Sequence, residues 1–273
     1  MTLTNLTNKV AVVTGAGSGI GRATALALAE RGARIVASDI DRARIDALAS
    51  ELGDRALLAR AFDVSDRAQF AAFADAVHEL VPAVDIVVNN AGVAVGGMFL
   101  DTSLDDWDWI LGVNLRGVVH GCHFFAPKMV ERQSGGHIVN LSSILGIFPA
   151  PQVTAYVASK FAVLGFSQSL RVELAPHRIG VTAICPGMIN TAIIEGGRMS
   201  AKVDTRRAKM AKMFSTRGAP PSLVASAIID ALRTNPAVRT VGRDAWAIHQ
   251  LHRIAPTFAH RASGALSKMF NRG

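Results

Sequence analysis

The stretch TGAGSGIG at residues 14–21 decides how this chain folds. It follows the apolar run VAVV at residues 10–13 and opens an Ala- and Leu-rich segment with helical period. Because glycine lacks a Cβ, such a loop can turn sharply and approach a pyrophosphate, whose charge then faces the positive end of the helix. A glycine string alone is weak evidence, but its place between a strand and a helix favours a dinucleotide site. The predicted contacts in the loop are Gly15, Ser18, Gly19, Ile20 and Gly21.

Short apolar runs and longer helical segments continue to alternate beyond this loop. Runs such as VAVV and DIVV are apolar at consecutive positions, as strands covered on both faces require. The sequence therefore predicts an α/β fold, a doubly wound parallel sheet of about seven strands with helices on both faces. The predicted strands are Val10–Thr14, Arg34–Ser38, Ala56–Phe62, Asp85–Asn89, His137–Leu141, Val181–Cys185 and Arg239–Val241.

Helix start and stop signals mark the segments between these strands. Gly32, where glycine accepts a positive φ, ends the first predicted helix, and Ser65 is predicted as the N-cap of a later one. No linker or repeat divides the chain, so we expect one domain over residues 1–273. Within it, residues 192–218 are predicted as a substrate-lid insertion, and residues 244–273 as a basic C-terminal extension. The predicted helices include Ile20–Arg31, Ser65–Val81, Leu104–Gln133 and Tyr156–Ala175.

Length and composition narrow the class of protein. A chain of 273 residues, 50% of them hydrophobic, buries a sizeable core without a disulfide or metal staple. Its two cysteines, Cys122 and Cys185, lie far apart in apolar runs and are expected to be buried thiols in a reducing compartment. No apolar run approaches the ~20 residues of a membrane span, and the N-terminus lacks the pattern of a signal peptide. We therefore expect a soluble cytoplasmic protein.

The net charge of +8 is unevenly distributed. Residues 1–197 carry 15 Lys and Arg against 18 Asp and Glu, whereas residues 198–273 carry 14 against 3. This basic C-terminal segment could cover the substrate mouth or a neighbouring subunit, make weak contact with an anionic membrane surface, or dock an acidic carrier protein. Nucleic-acid binding is not expected, because no recognisable nucleic-acid-binding motif accompanies the basic residues. Apolar residues recur there at near-helical spacing: Trp246, Ile248, Leu251, Ile254 and Phe258.

Asp39 closes the second predicted strand, about 20 residues beyond the loop, where a carboxylate can accept hydrogen bonds from the adenosine ribose. The same carboxylate repels a 2′-phosphate, so the sequence favours NAD over NADP. Arg42 and Arg44 argue the other way, although a position on a helix surface explains both. The structural alternative for Asp39 is that it caps the next helix.

Polar residues also end the third and fourth predicted strands. Asp63 and Val64 follow the third, where the Asp63 side chain could meet the adenine amino group. Asn89 and the triplet Asn90, Ala91 and Gly92 follow the fourth. Open parallel sheets bind ligands at this edge, so we expect Asp63, Val64, Asn90, Ala91 and Gly92 to contact the cofactor.

Tyr156 and Lys160 are separated by four residues at the start of a predicted helix, and so share one face. The pKa of a free tyrosine is near 10, so acid–base work near neutrality requires a fall of about 3, or roughly 4 kcal/mol. A lysine cation ~5 Å away contributes about 3 kcal/mol at an effective dielectric constant of ~20. The spacing therefore predicts that Lys160 lowers the pKa of Tyr156.

Several motifs now stand in a fixed order along the chain: TGAGSGIG (14–21), Asp39, Asp63, NNAG (89–92), Asn114, the two serines of VNLSSILG (139–146), YVASK (156–160) and PGMINT (186–191). In this order and spacing they resemble the short-chain dehydrogenase/reductase family over residues 8 to about 245. Each motif alone is weak to moderate, and no motif position departs from the family pattern. The resemblance implies a Rossmann fold and NAD(P)-dependent oxidoreductase activity.

The resemblance also implies a role for each matching residue. Tyr156 would exchange a proton with the substrate oxygen, and Lys160 would lower its pKa and bind the nicotinamide ribose. Ser143 would hold the substrate oxygen, and Asn114 would kink its helix and hold a water on a proton path to Lys160. Pro186, Gly187, Ile189 and Thr191 would line the nicotinamide side. The family commonly forms dimers or tetramers through two long helices, here 104–133 and 154–175.

The substrate is expected to be a small neutral, hydrophobic secondary alcohol or ketone. No Lys, Arg, Asp or Glu lies between Ser143 and Tyr156, and the candidate lining is apolar. Two alternatives remain open: an NADPH-dependent 3-oxoacyl-carrier reductase, and a non-catalytic nucleotide-sensing protein that reuses the fold. The eight histidines show no metal-ligand spacing, and hydride transfer needs no metal, so no metal site is expected.

Overall fold

The computed structural model describes residues 2–255 and 257. Its strands are β1 (Val10–Thr14), β2 (Arg34–Asp39), β3 (Ala56–Ala61), β4 (Ile86–Asn89), β5 (Val95–Gly96), β6 (Gly136–Leu141), β7 (Ile179–Pro186), β8 (Arg198–Met199) and β9 (Val238–Val241). Its α-helices are α1 (Gly19–Ala29), α2 (Arg42–Leu52), α3 (Arg67–Leu80), α4 (Leu104–Leu111), α5 (Gly117–Arg132), α6 (Thr154–Leu174), α7 (Ala201–Asp204), α8 (Arg207–Arg217), α9 (Pro221–Thr234) and α10 (Arg243–Ile254).

Seven strands form one parallel sheet in the order β3-β2-β1-β4-β6-β7-β9. The order reverses between β1 and β4, so the connections that follow these two strands diverge there. Open sheets of this kind bind ligands in the crevice that this divergence leaves at the carboxyl ends of the strands. The predicted doubly wound parallel sheet is confirmed.

Both faces of the sheet are buried, because successive residues of one strand pack into different clusters. In β1, Ala11 and Val13 join the cluster that includes Leu28 of α1 and Ile228 of α9. Val10 and Val12 join the cluster on the other face with side chains from α3, α5 and α6. Two-sided burial explains why the strands are apolar at consecutive positions.

The structure corrects one predicted N-cap and one predicted uninterrupted helix. Helix α3 is capped by Asp66 rather than Ser65, because the Asp66 carboxylate accepts hydrogen bonds from both Ala68 N and Gln69 N. The predicted helix Leu104–Gln133 is not continuous α-helix. A π-helical stretch at Gly112–Arg116 separates α4 from α5, and it contains Asn114, whose side chain bonds outside its own helix.

A second, two-stranded parallel sheet pairs β5 with β8, joining Val95 to Arg198 and Gly96 to Met199. It attaches the beginning of the predicted lid, residues 192–218, to the segment that follows β4. Helices α7 and α8 lie within that lid. In the part of the chain that the structure describes, no helix has both the length and the apolar character needed to cross a membrane.

Candidate active site

The glycine loop is packed so closely that side chains would not fit. Gly15 has a φ of +62° and Gly19 a φ of +52°, conformations that favour glycine. A Cβ on Gly21 would lie 2.0 Å from the carbonyl oxygen of Gly15 and 2.5 Å from Asn90 Nδ2. The loop therefore leaves its backbone open to a phosphate at the N-terminus of α1, as the predicted dinucleotide site requires.

Asn90 ties the glycine loop to the end of β4. Its Nδ2 donates to the carbonyl oxygens of Thr14 (2.9 Å) and Gly15 (3.0 Å). In return, Thr14 Oγ1 accepts hydrogen bonds from the backbone N–H groups of Asn90 (3.0 Å) and Ala91 (3.1 Å). The sequence interpretation missed Thr14, although its position as the last residue of β1 before the first glycine was a usable signal.

Asp39 lies against the glycine loop at the end of β2. Its Oδ2 accepts the N–H of Gly17 at 2.8 Å, and its Oδ1 accepts the N–H of Asp41 at 3.0 Å. Asp41, not Asp39, caps α2 through the N–H of Arg44. The capping alternative for Asp39 is therefore wrong. Its carboxylate lies beside the glycine loop, where it could accept hydrogen bonds from a ribose.

The two arginines that argued for a 2′-phosphate are occupied by carboxylates of their own segment. Arg44 Nε lies 3.1 Å from Asp41 Oδ2, and Arg42 Nε lies 2.8 Å from Asp46 Oδ2. Both pairs are exposed, so each is weak. Each guanidinium group nevertheless has a carboxylate partner within the protein, so neither arginine by itself indicates a bound 2′-phosphate.

At the end of β3, Asp63 and Val64 are fixed by their neighbours. Asp63 Oδ1 accepts hydrogen bonds from both the N–H and the hydroxyl of Ser65, each at 2.8 Å. Val64 is buried, and its carbonyl accepts a hydrogen bond from Nδ1 of His120 at 2.9 Å. The same carboxyl edge of the sheet thus carries the residues predicted after β1, β2, β3 and β4.

Tyr156 and Lys160 lie on α6 beside the end of β6. Lys160 is buried, with Nζ donating to the carbonyl of Leu141 at 2.9 Å and lying 5.7 Å from the centre of the Tyr156 ring. Ser143 is also buried, one residue beyond Ser142, whose hydroxyl donates to the carbonyl of Lys160 at 2.8 Å. The structure therefore brings Ser143, Tyr156 and Lys160 to one place.

The expected fall in the pKa of Tyr156 does not arise from the protein groups alone. Burial raises the pKa of Tyr156 to about 12, and a side-chain hydrogen bond with Ser143 only partly opposes that rise. Burial also lowers the pKa of Lys160 to about 8. The attraction of the lysine cation is outweighed here by the cost of removing both side chains from water.

Asn114 is fully buried in the π-helical stretch and reaches across to the chain after β4. Its Oδ1 accepts the N–H of Val93 at 2.8 Å, while its Nδ2 donates to the carbonyl of Val93 (3.0 Å) and to Ser159 Oγ (3.1 Å). A Cβ on Gly92 would lie 3.3 Å from Asn114 Oδ1 and 3.5 Å from Lys160 Nζ. Gly92 therefore lets Asn114 and Lys160 approach the same point.

The segment after β7 is held on two sides. Gly187 N donates to the carbonyl of Val241 at 2.9 Å, and Met188 N donates to Asp244 Oδ2 at 2.9 Å. On the other side, Ala219 N donates to the carbonyl of Met188, and Asn190 N donates to the carbonyl of Ala219, both at 2.9 Å.

Thr191 lies next to the glycine loop, since a Cβ on Gly19 would be 3.1 Å from its Cγ2. The turn from Pro186 to Thr191 thus connects the Tyr156 side of the site to the loop at residues 14–21. The predicted residues Pro186, Gly187, Ile189 and Thr191 thus lie on the connection between these two parts. Sequence interpretation missed Asp244, for which the pattern Gly-x-Asp directly after the last strand was the available signal.

The lid is fastened by exposed contacts. Arg198 lies with its guanidinium carbon 4.2 Å from the centre of the Trp109 ring and pairs with Asp106 at 3.3 Å. Lys202 Nζ approaches Asp101 Oδ2 at 4.0 Å. Trp109 belongs to the apolar cluster that also contacts Tyr156, so the fastening lies close to the candidate catalytic residue.

A family model described as short chain dehydrogenase matches residues 9–200. The chain belongs to this family. Short-chain dehydrogenases are oxidoreductases that act on CH–OH groups, and the seven-stranded parallel sheet is the fold of this family.

Two curated relatives differ in length. A probable oxidoreductase of Mycobacterium tuberculosis, EphD, is 45% identical over 252 residues, which are 89% of this chain but 43% of EphD. This short-chain dehydrogenase therefore spans less than half the length of that relative. A putative oxidoreductase of the same organism, SadH, is 37% identical over 276 residues, covering 98% of this chain and 99% of SadH.

Solved structures show the same fold. A short-chain dehydrogenase/reductase from Burkholderia phymatum in complex with NAD matches with a TM-score of 0.86 and 30% identity, covering 92% of this chain and 95% of that one. The 3-ketoacyl-(acyl-carrier-protein) reductase from Brucella melitensis complexed with NADH matches with a TM-score of 0.75 and 30% identity, covering 86% and 97%.

Proposed function

We propose that this short-chain dehydrogenase transfers a hydride between NAD(H) and a neutral, hydrophobic secondary alcohol or ketone. The proposal rests on one observation: Ser143, Tyr156 and Lys160 lie together, in a fold whose glycine loop donates a hydrogen bond from Gly17 to Asp39. When bound, NAD(H) supplies or accepts the hydride at C4 of its nicotinamide. The proposed cofactor contacts are Gly15, Ser18, Gly19, Ile20, Gly21, Asp39, Asp63, Val64, Asn90, Ala91, Gly92, Tyr156, Lys160, Pro186, Gly187, Ile189 and Thr191.

Tyr156 is the proposed acid–base group. With its pKa at about 12, the phenol is protonated at neutral pH and can donate its proton to the oxygen of a ketone. In the opposite direction it must accept the hydroxyl proton, which requires added positive charge near the phenol. Ser143 is proposed to hold the substrate oxygen, since its hydroxyl already interacts with Tyr156.

Lys160 and Asn114 are proposed to serve the proton transfer. Burial holds the pKa of Lys160 at about 8, so the ammonium is predominantly protonated at pH 7 but can lose its proton within the working range. Asn114 fixes the backbone at Val93 and contacts Ser159, and we propose that it also holds a water on the path to Lys160.

The preference for NAD is supported by Asp39. Its carboxylate is fixed beside Gly17, where it would accept hydrogen bonds from ribose hydroxyls and repel a 2′-phosphate. The solved structures named above were obtained with NAD and with NADH. NADP is proposed as the poorer cofactor.

The apolar substrate is supported by the surroundings of Ser143. Ile144 and Ile147, which follow Ser143 in the chain, are buried, and no Lys, Arg, Asp or Glu lies between Ser143 and Tyr156. Uncharged surroundings do not offset the cost of taking a substrate carboxylate out of water, so small hydroxy acids are expected to be poor substrates.

A 3-oxoacyl-carrier reductase remains the alternative enzyme, favoured by the Brucella melitensis relative and by the basic lid. In the described chain, the lid cations Lys209 and Lys212 have no acidic partner and could meet an acidic carrier. A nucleotide-sensing protein without chemistry is less well supported, because the residues proposed for catalysis are all present and assembled.

The proposal also covers the oligomeric state and the cellular location of the protein. Short-chain dehydrogenases are typically oligomeric, and we propose a homodimer or homotetramer through α4–α5 and α6, where Phe161 and Val172 are exposed. We also propose a cytoplasmic location and weak contact of the basic C-terminal segment with membrane surfaces. In α10 the exposed Trp246 and Ile254 fit that contact, whereas Phe258 lies outside the described residues.

The test is a substrate panel assayed with NAD and with NADP. It contains steroid, terpenoid, alicyclic and long-chain secondary alcohols and their ketones, small hydroxy acids, and a 3-oxoacyl thioester. Turnover of the neutral alcohols with NAD supports the proposal. Preference for hydroxy acids refutes the apolar substrate, and preference for the thioester with NADPH establishes the alternative.

A pair of variants tests the role of Asp39. Asp39→Ala should lower the KM for NADP relative to that for NAD, because it removes the charge that faces a 2′-phosphate. Asp54→Ala removes an exposed carboxylate just before β3, at the opposite edge of the sheet from Gly17, and should leave the cofactor preference unchanged.

A further inference from the structure

Asp244 is the second residue of α10, the first helix of the basic C-terminal extension, yet its carboxylate binds the chain after β7. Oδ2 accepts the N–H of Met188 at 2.9 Å. Two glycines make room for it: a Cβ on Gly187 would lie 2.1 Å from Oδ2, and a Cβ on Gly242 would lie 2.4 Å from Oδ1. The carboxylate thus occupies the space that side chains would otherwise fill.

The hydrogen bond from Met188 has a consequence for the next residue, Ile189. Around Ile189 the chain forms a parallel bridge with Ala219, which binds the carbonyl of Met188 and the N–H of Asn190. The backbone polar groups of Ile189 therefore point away from Ala219. Within residues 2–255, no protein group bonds the N–H or the carbonyl of Ile189, although the residue is 4% exposed.

We infer that Asp244 is a positioning residue for the cofactor site: by holding the N–H of Met188, it fixes the direction in which the Ile189 backbone presents its N–H and carbonyl. This inference rests on the proposed NAD site. It also makes α10 part of that site, so that the C-terminal extension contributes to cofactor binding as well as to the surface.

A purely structural role for Asp244 predicts a different result. An acidic residue in the first turn stabilises a helix through its N–H groups and dipole, whatever else it contacts. Loss of that effect would lower the stability of α10 and leave cofactor affinity intact. The two roles are separated by replacing Asp244 with residues that keep the helix but differ in reach and charge.

The experiment measures the affinity for NAD by titration calorimetry, together with thermal unfolding, for the wild type and four variants. Asp244→Ala should weaken NAD binding by about tenfold, the loss expected when a charge-assisted hydrogen bond that orders a site is removed. Asp244→Ser keeps a polar residue in the first turn but is too short to reach Met188, and should lose as much.

Asp244→Asn preserves the length and an acceptor oxygen, and should bind NAD within about threefold of the wild type, since a neutral hydrogen bond remains. Arg243→Ala, on the neighbouring residue, is the matched control for α10 and should bind like the wild type. A KM that rises for NAD but not for the alcohol would confirm the same pattern in turnover.

The outcomes separate this inference from the proposal beneath it. If the wild type binds NAD and Asp244→Ser binds it equally well, the positioning role is overturned while the proposed function stands. If Asp244→Asn loses as much as Asp244→Ala, charge rather than positioning is responsible, and the inference is again wrong. A wild type that does not bind NAD overturns the proposed function and this inference together.

Discussion

The glycine loop and the lid are held to the rest of the protein in different ways. In the loop at residues 14–21, carbonyl groups accept hydrogen bonds from Asn90 Nδ2, and the N–H of Gly17 donates to Asp39. Side chains at several of its positions would collide with neighbours. The lid at residues 192–218 is held by a pair of two-residue strands and by exposed ion pairs such as Arg198 with Asp106. Exposed pairs each contribute about 0–1 kcal/mol.

We propose that this difference separates two tasks, the binding of the cofactor and the exchange of the substrate. A loop without spare room presents one backbone shape, which suits a cofactor whose structure does not change. Residues 192–218 bury Ile194 and Val203 but form exposed ion pairs, and we propose that they move more readily to admit and release a substrate. Tyr156 and Lys160 stand between these regions and belong to neither.

The largest effect is expected on turnover, from a substitution at Tyr156, which belongs to neither the glycine loop nor the lid. Tyr156→Phe should reduce turnover by about 10²- to 10⁴-fold, because it removes the proposed proton donor while keeping the ring. NAD affinity should fall far less than turnover, since the Tyr156 hydroxyl is one of many proposed cofactor contacts and the glycine loop is untouched. Steady-state kinetics and calorimetry check both statements, with Thr154→Ala, in the same helical turn, as the control. Near-normal turnover in Tyr156→Phe would show that the proposed mechanism is wrong.

A methyl group on the glycine loop should be the next most damaging change. In Gly21→Ala the new Cβ would lie 2.0 Å from the carbonyl oxygen of Gly15, so the loop must shift. We expect the free energy of unfolding to fall by about 1–3 kcal/mol and NAD binding to weaken by at least about tenfold. Urea denaturation and calorimetry measure these changes.

The control for that variant is Gly196→Ala, where the added Cβ would meet only the carbonyl oxygen of Ala192 at 3.5 Å, an ordinary van der Waals contact. It should leave both the free energy of unfolding and NAD affinity close to those of the wild type. Equal behaviour of the two alanine variants would show that the glycine loop is less confined than its contacts indicate.

Protonation of the buried lysine should change stability over a defined pH range. The pKa of Lys160 is about 8 in the folded protein, against 10.5 for a free lysine, because burial disfavours its charge. Between these values the unfolded chain binds more protons, so stability should rise with pH. For Tyr156, the pKa of about 12 against 10.0 gives the opposite slope at higher pH.

We therefore expect Lys160→Met to be more stable than the wild type at pH 7, and expect this advantage to shrink by pH 10 by on the order of 2 kcal/mol. Urea midpoints of the two proteins at several pH values test this, since the titration of other groups cancels in the difference. A difference that does not vary with pH would contradict the assigned burial of the charge.

The smallest effect is expected in the lid. Arg198→Ala removes the contact with Trp109 and the pair with Asp106, together worth about 1 kcal/mol at an exposed site. The KM for the alcohol should rise by roughly two- to fivefold, whereas the KM for NAD should stay constant. Lys209→Ala is the lid control, and a parallel change in both KM values would contradict the separation of the two regions.

Much of the cofactor region could be predicted from the sequence because local patterns determine it. The strand at Val10–Thr14, the loop at residues 14–21 and the Asp39 position follow from periodicity and glycine spacing, and the structure has them where expected. The π-helical stretch around Asn114 could not be found this way. The family resemblance implied a kink at Asn114, but the hydrophobic period gives no sign of it; in this stretch the Asn114 side chain bonds the backbone of Val93.

The pKa of Tyr156 and the contacts that hold the lid also could not be predicted from the sequence. Spacing places Lys160 near Tyr156, but it does not reveal how much water both groups lose, and burial reversed the expected direction for Tyr156. Arg198 and Trp109 lie far apart in the chain and meet only because β5 and β8 pair. Such contacts depend on the assembled fold.

The two buried cysteines can serve as internal probes of local opening of the structure. Burial raises the pKa of both Cys122 and Cys185 to about 12, so neither is a thiolate at neutral pH and neither reacts with alkylating reagents while covered. Cys122 lies in the cluster with α3 and α5, whereas Cys185 packs beside Ala245 of α10. The rates at which the two thiols become labelled therefore measure how often each of these two parts of the molecule opens.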